Sequence, residues 1–268
     1  MIKIIKKYSL AFSMLFITLI FCSCEKEIDV DLNTVTPRIQ IEGLVKQDQL
    51  AMVRVSQTID FNDNSGYPMV EGAIVKISDD AGNSEILKQD NTGWYVAENI
   101  KGVIGRKYNM SVTYEGKEYT STSQMPPQVK LDSLTMYKKI PIMDYALPMI
   151  HFKDPIGVTN QYYRCLVYIN GKQLPDMNEL VLSTEFMDGS PIHQFLPVFT
   201  HDDDVDPIQQ DDDILIEFQC LDKGAYTFFE TLSRIEESLT NPTSNITGGA
   251  LGYFCACTVD QMTITAKW

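Results

Sequence analysis

Met52-Val-Arg-Val-Ser-Gln-Thr-Ile59 alternates apolar and polar side chains and ends at a polar loop, Asp60-Phe-Asn-Asp-Asn-Ser-Gly-Tyr-Pro68. Successive side chains of a strand point to opposite faces, so a period of two predicts a strand with one face buried. Upstream, Ile39, Ile41 and Val45 alternate in the same way. Downstream come Gly72-Ala-Ile-Val-Lys-Ile-Ser78, the turn Asp79-Asp-Ala-Gly-Asn83, Glu85-Ile-Leu-Lys88 and Gly93-Trp-Tyr-Val96. Arg106–Tyr114 and Lys117–Gln124 meet at Glu115-Gly116, which predicts a hairpin. Seven such segments, separated by turn signals, predict an antiparallel β-sandwich over residues 38–125.

Pro126-Pro127 cannot continue a central strand and marks the expected domain boundary. Residues 128–268 read as a second, less regular β-rich domain. Val129–Lys138, Pro148–Lys153, Tyr162–Ile169, Gln173 onward and Ile214–Leu221 are its expected strands, with a tight turn at Asn170-Gly171. Ala225, Phe228, Phe229, Leu232, Ile235 and Leu239 fall on one face at helical spacing, predicting one amphipathic helix near 225–239. Glu230 and Arg234 can pair across a turn on its other side, and Asn241-Pro242 ends it. After Gly248-Gly249, two last strands are expected to run through Trp268.

The start of the chain carries an address. Lys3, Lys6 and Lys7 precede Leu10–Phe21, an apolar run of 12 residues. That is a signal-peptide length, well short of the ~20 residues that span a bilayer as a helix. Phe21-Cys22-Ser23-Cys24 resembles a lipobox, with small Ser23 directly before Cys24. The expectation is a cleaved signal over 1–23, a covalent diacylglycerol and an N-acyl chain such as palmitate on Cys24, and an acidic tether over 24–37. Each buried CH₂ contributes ~0.8 kcal/mol, so two or three acyl chains hold a protein firmly at a membrane. Glu25-Lys-Glu-Ile-Asp-Val-Asp31 resembles the export signal that sends many lipoproteins of the Bacteroidetes group to the cell surface. The expected location is thus the outer membrane, facing the exterior, with the periplasmic face as the alternative.

The full chain has a net charge of −14, and without Lys3, Lys6 and Lys7 it keeps 19 basic residues against 36 acids, or −17. Such a body is repelled by phosphate backbones, which argues against nucleic acid as a partner. Cys165, Cys220, Cys255 and Cys257 permit three pairings, and the compartment permits disulfides. Cys255 and Cys257 are two apart in a strand-like segment, share a face and are poorly placed to bond each other. Buried free thiols are the simpler reading.

Three phrases carry a family resemblance: Ile41-Glu-Gly-Leu; Val70-Glu-Gly-Ala-Ile-Val-Lys-Ile-Ser78 with Tyr108–Tyr119; and Asn245-Ile-Thr-Gly-Gly-Ala-Leu-Gly-Tyr-Phe254. With the lipobox, they resemble a Bacteroidetes lipoprotein family known as domain-of-unknown-function family 4249, over nearly the whole mature chain. The first domain is also similar to immunoglobulin-like or transthyretin-like surface sandwiches. The resemblance implies an envelope lipoprotein, often encoded near TonB-dependent outer-membrane transporters. It implies no reaction and no site residues.

The densest polar stretch is His201-Asp-Asp-Asp-Val-Asp-Pro-Ile-Gln-Gln-Asp-Asp-Asp213. Asp202, Asp204 and Asp206 have the spacing that converges alternate carboxylates on calcium, and Asp213 stands where a twelfth-position ligand falls. Against calcium, Pro207 occupies the position that needs Gly, and Asp213 is shorter than the usual bidentate Glu. A solvated acidic loop is the simpler reading. His151, His193 and His201 lie in no metalloprotease motif, and the sequence contains neither a Gly-x-Ser-x-Gly elbow nor a phosphate-cradling loop. Trp94, Tyr95, Tyr162, Tyr163, Phe228 and Phe229 can line a sugar or peptide site, although paired aromatics in strands and helix faces usually form core. The sequence thus predicts a non-enzymatic binding or accessory subunit, without cofactor, beside a TonB-dependent transporter. The alternatives are a structural or adhesive surface protein and, third, a surface hydrolase built around His193 or His201.

Overall fold

The period-two stretches become strands because one side of each can be buried while the other stays half-exposed. The computed structural model describes residues 36–60, 66–137, 146–158, 161–175, 180–198, 208–238 and 240–267. In chain order the strands are β1 (Ile39–Lys46), β2 (Leu50–Gln57), β3 (Ile74–Asp79), β4 (Ser84–Ile86), β5 (Lys88–Gln89), β6 (Trp94–Lys101), β7 (Lys107–Tyr114) and β8 (Lys117–Gln124). Then come β9 (Leu131–Tyr137), β10 (Leu147–Lys153), β11 (Tyr162–Ile169), β12 (Lys172–Gln173), β13 (Leu180–Ser183), β14 (Pro191–Phe195) and β15 (Asp213–Leu221). Helices α1 (Lys223–Ser233) and α2 (Ile235–Ser238) precede the last strand, β16 (Leu251–Thr265). The chain is mainly β, with antiparallel sheets and one helix of substance, as the sequence predicts.

Three sheets form. A nine-stranded sheet runs β12-β11-β15-β16-β1-β2-β6-β5, with β13 also on β11; a four-stranded sheet runs β4-β3-β7-β8, and a three-stranded sheet runs β14-β10-β9. Both small sheets cover the same face of the large one, as the parity of β16 shows. Its even-numbered Phe254 and Ala256 belong to a core shared with Val75, Ile77, Tyr108 and Val112 of the four-stranded sheet. Further along, Met262, Ile264 and then Ala266 pack in a second core with Ile150, Phe152 and Ile192 of the three-stranded sheet. Its odd-numbered Tyr253, Cys255, Cys257 and Val259 turn the other way, toward α1.

Most of the first core precedes Pro126-Pro127 and all of the second follows it, and both belong to one compact unit, Thr36–Trp268. The link is β16. Its first half pairs in parallel with β1, and its second half pairs antiparallel with β15. The N-terminal sandwich therefore includes a strand from the far end of the chain.

The phrases that carry the family resemblance meet here. In the parallel register Ile41 is opposite Gly252 and Gly43 opposite Phe254. A Cβ on Gly252, which has φ +95°, would overlap the Ile41 carbonyl oxygen. One on Gly43 would lie 2.6 Å from the Phe254 ring. The glycines let two backbones and one aromatic ring close together; the motif is a packing device.

Several turns follow the sequence. Glu115 and Gly116 have φ of 48° and 76°, and Asn170 and Gly171 have 51° and 79°, the left-handed pair that a two-residue hairpin requires. Other features depart from expectation. The two last strands are one strand of 15 residues, Leu251–Thr265, which passes from β1 to β15 as partner without a break. Glu85–Lys88 is not one strand: β4 pairs with β3, β5 pairs with β6, and Leu87 between them is buried as the chain changes sheets. The predicted helix is broken at Arg234 into α1 and α2. Its apolar stripe is buried at Ala225, Phe228 and Phe229, whereas Ile235 is 39% exposed, so the stripe's burial ends before the helix does. Among the described residues, no helix is long and apolar enough to cross a membrane.

Candidate functional site

One carboxylate starts α1 and ties it to the sandwich. Asp222 Oδ1 accepts the Ala225 N–H at 2.8 Å, capping the helix, while Oδ2 accepts the Ser123 hydroxyl at 2.5 Å and the Gln124 N–H at 3.0 Å. The helix then lays its stripe on the sheet. Phe228 and Phe229 meet the Tyr253 ring at centroid distances of 4.9 and 4.7 Å, and Tyr226 stacks on Tyr162 at 4.5 Å. The buried Arg164 guanidinium sits 3.6 Å from the Phe229 ring centroid, a cation–π contact in a desolvated place. Glu230 and Arg234 pair at 2.9 Å on the solvent side, as their spacing predicts.

The helix is narrower than the face it covers. Beside it lies a groove of about 530 Å³. Phe228, Leu232 and Tyr253 make apolar walls; Gln40 and Glu42 of β1 and Arg164 of β11 bring polar groups to it. Glu42 accepts the Gln40 side-chain amide at 2.9 Å and lies 3.6 Å from Arg54. A concave site with aromatic walls and a few convergent polar groups suits the binding of an amphipathic ligand. It offers stacking faces, an amide and a carboxylate.

A second polar cluster stands on the same sheet. Lys46 donates to Glu217 at 2.6 Å, Gln219 donates to the same carboxylate at 2.6 Å, and Gln261 reaches it at 3.4 Å. Burial opposes ionisation of Glu217, but these donors, Lys46 first, hold its carboxyl below the usual range.

The residues singled out by sequence are distributed as follows. Cys24, His201, Asp202, Asp204 and Asp206 lie outside the described residues. Asp213 opens β15, where its carboxylate accepts the Thr265 hydroxyl at 3.0 Å and its N–H donates to Asn170 at 3.0 Å. Asp212 beside it accepts from the Asn170 side chain and from the Gln209 N–H, both at 2.7 Å. This end of the acidic run therefore fastens the Asn170-Gly171 turn. Among the described residues, no group of three or more His, Cys, Asp or Glu side chains is gathered as a metal site requires.

Of the aromatic residues, Phe228 and Phe229 reach the groove. Tyr95 is core, its hydroxyl donating to the Val70 carbonyl at 2.9 Å, and Tyr163 stacks on Phe218 at 5.0 Å. Cys165, Cys220, Cys255 and Cys257 are buried thiols that form no disulfide among the described residues. Burial pushes the Cys220 thiol up to about 11. The hydrogen bond with Cys257, and then burial, push Cys255 up as well. Thiols so far from ionisation are poor nucleophiles and fit a packing role.

Sequence reading missed two juxtapositions. Arg164 is a polar residue inside a strongly apolar strand, a local signal for a desolvated charge. The other has no local signal: His151 of β10 and His193 of β14 are register partners, with their Nδ1 atoms 2.6 Å apart. The other nitrogen of His151, Nε2, is 2.7 Å from the Thr135 hydroxyl. Burial, and then neighbouring His193, hold His151 below its ordinary pKa, with Asp132 opposing them.

Among curated proteins, none matches the sequence significantly. The family described as "Domain of unknown function (DUF4249)" matches residues 25–263, which takes in the first core, nearly all of the second, the groove and the glycine motif that joins β1 to β16. The chain belongs to the DUF4249 family.

Proposed function

We propose that this chain is an outer-membrane lipoprotein, anchored through Cys24 and facing the exterior, that works as a non-enzymatic binding or accessory subunit beside a TonB-dependent transporter. The observation that carries the binding role is the groove between α1 and the sheet, with Phe228 and Tyr253 as stacking faces and Gln40 and Glu42 as polar partners. An amphipathic ligand such as a sugar or a short peptide suits it: ring faces bury its apolar side while the amide and carboxylate take its hydroxyl or N–H groups. The anchor and the address rest on the signal-like first 23 residues and the Ser23-Cys24 junction. The transporter partner rests on the family.

Purification of the native protein in mild detergent tests the partner. Recovery with a TonB-dependent transporter supports the proposal, and recovery only as a lone monomer counts against it. Glu42→Gln removes the groove's carboxylate charge without changing its shape, and is expected to weaken capture of the ligand while leaving the anchor intact. Protease treatment of intact cells tests the location: digestion places the body outside, and full protection places it in the periplasm.

A further inference from the structure

The histidine pair stands on a different layer from the groove, on the outward face of the three-stranded sheet. His151 and His193 are directly opposite each other on β10 and β14. Their rings are 4.8 Å apart between centroids and inclined at 61°. At 2.6 Å, the two Nδ1 atoms are in hydrogen-bond contact, so one ring donates its Nδ1 proton and the other accepts it on its Nδ1 lone pair. Thr135 fixes His151 from behind through Nε2, the kind of outer contact that sets the tautomer and ring orientation of a metal-ligating histidine.

The strand pairing also contributes. The register between β10 and β9 shifts at His151/Phe152, passing from Ser133 to Leu131 and leaving Asp132 as the extra residue of a bulge. Bulges re-aim side chains, and this one puts the exposed Asp132 carboxylate beside half-buried His151 and its exposed partner His193. A negative charge there favours a cation.

We infer that His151 and His193 form a surface site for a divalent transition-metal cation, copper(II) or nickel(II) by preference, bound through both Nδ1 atoms. Geometry selects the metal. A cation ~2.0 Å from each nitrogen, with the two bonds at a right angle, sets the nitrogens ~2.8 Å apart. From 2.6 Å this requires each ring to turn its Nδ1 toward the shared cation and an opening of only ~0.2 Å, whereas tetrahedral zinc requires ~0.7 Å. Imidazole nitrogen suits both metals, and the order of affinities places copper(II) first. On binding, the Nδ1 proton between the rings moves through solvent to a free Nε2, so both histidines bind as neutral ligands. Among the described residues no third His, Cys, Asp or Glu joins them, so water or a partner's donor completes the coordination.

Copper(II) titration of the full mature chain, purified without a histidine tag and followed by calorimetry and electron paramagnetic resonance, tests this. One equivalent with a two-nitrogen spectrum is expected. His193→Ala and His151→Gln should each lower its affinity at least tenfold, and Thr135→Val should lower it several-fold while the two-nitrogen spectrum remains. A wild-type chain that takes up no such equivalent, or single histidine variants that bind copper as the wild type does, would overturn the assignment. His193 is exposed on an edge strand, so its variant keeps the fold; a cooperative urea transition equal to the wild type's verifies this.

Discussion

The two faces of the nine-stranded sheet are built for different ends. One is dry: Ile41, Val53, Val55, Phe254, Ile216 and Phe218 are fully buried under two smaller sheets. The other carries Glu42, Arg54, Lys46, Glu217 and Arg164 and is covered in part by a single helix. Strand alternation makes such a division possible, since each strand serves both faces at once. The first face supplies most of the hydrophobic stabilisation, and the second, incompletely covered, leaves a groove with chemistry in it.

The comparison is broken most severely at the β1–β16 contact. Gly252→Ala places a methyl group against the Ile41 carbonyl at φ +95°, and a loss of more than ~4 kcal/mol is expected, read as loss of soluble protein or a collapsed urea midpoint. Gly249→Ala, at φ +83° with nothing within 4 Å, is the control and should cost only ~1–2 kcal/mol. Next in size, Phe254→Ala opens a cavity in the dry face and should cost ~3–5 kcal/mol in urea unfolding. Phe228→Ala, on the groove side, should cost nearer ~2 kcal/mol, because one side of its ring already borders the groove.

Glu217 sharpens the contrast through pH. Its folded pKa is lowered, so its contribution is fully present above the unfolded value and is lost as pH falls through the depressed folded one. Urea midpoints of the wild type should therefore drop on acidification from about pH 5 to about pH 3, and Glu217→Gln should flatten that part of the profile. At neutral pH the variant should lose ~1–3 kcal/mol, below a fully buried pair because the Lys46 side chain keeps 20% exposure. Asp222→Ala removes the cap of α1 and should cost ~1–2 kcal/mol by the same assay. Smallest of all, Gln40→Ala should stay within ~0.5 kcal/mol of the wild type in stability, yet weaken ligand capture by the groove.

Much of the fold was legible because its signals are local. Alternation announced β1, β2 and β3, the apolar run Tyr162–Ile169 announced β11, and Glu115-Gly116 announced the β7–β8 hairpin as Asn170-Gly171 did the turn after β11. The weaker strands β13 and β14 were not announced. Leu180–Ser183 is too short to display a period, and Pro191–Phe195 begins with a residue that argues against a strand. The groove was half-legible. The stripe Ala225, Phe228, Phe229 and Leu232 showed that a helix must cover something, but not that the cover stops short of Gln40 and Glu42.

By itself, the sequence determined the β class, the hairpins, the helix and the signal-like start, since each depends on residues within a few positions of one another. Only the tertiary structure decided that β16 joins two cores into one unit, that Gly252 and Gly43 exist for each other's strands, and that His151 faces His193. Those outcomes depend on which strands pair and in what register. Register is set by the summed burial of whole faces, across separations of up to about two hundred residues, and no local window contains that sum.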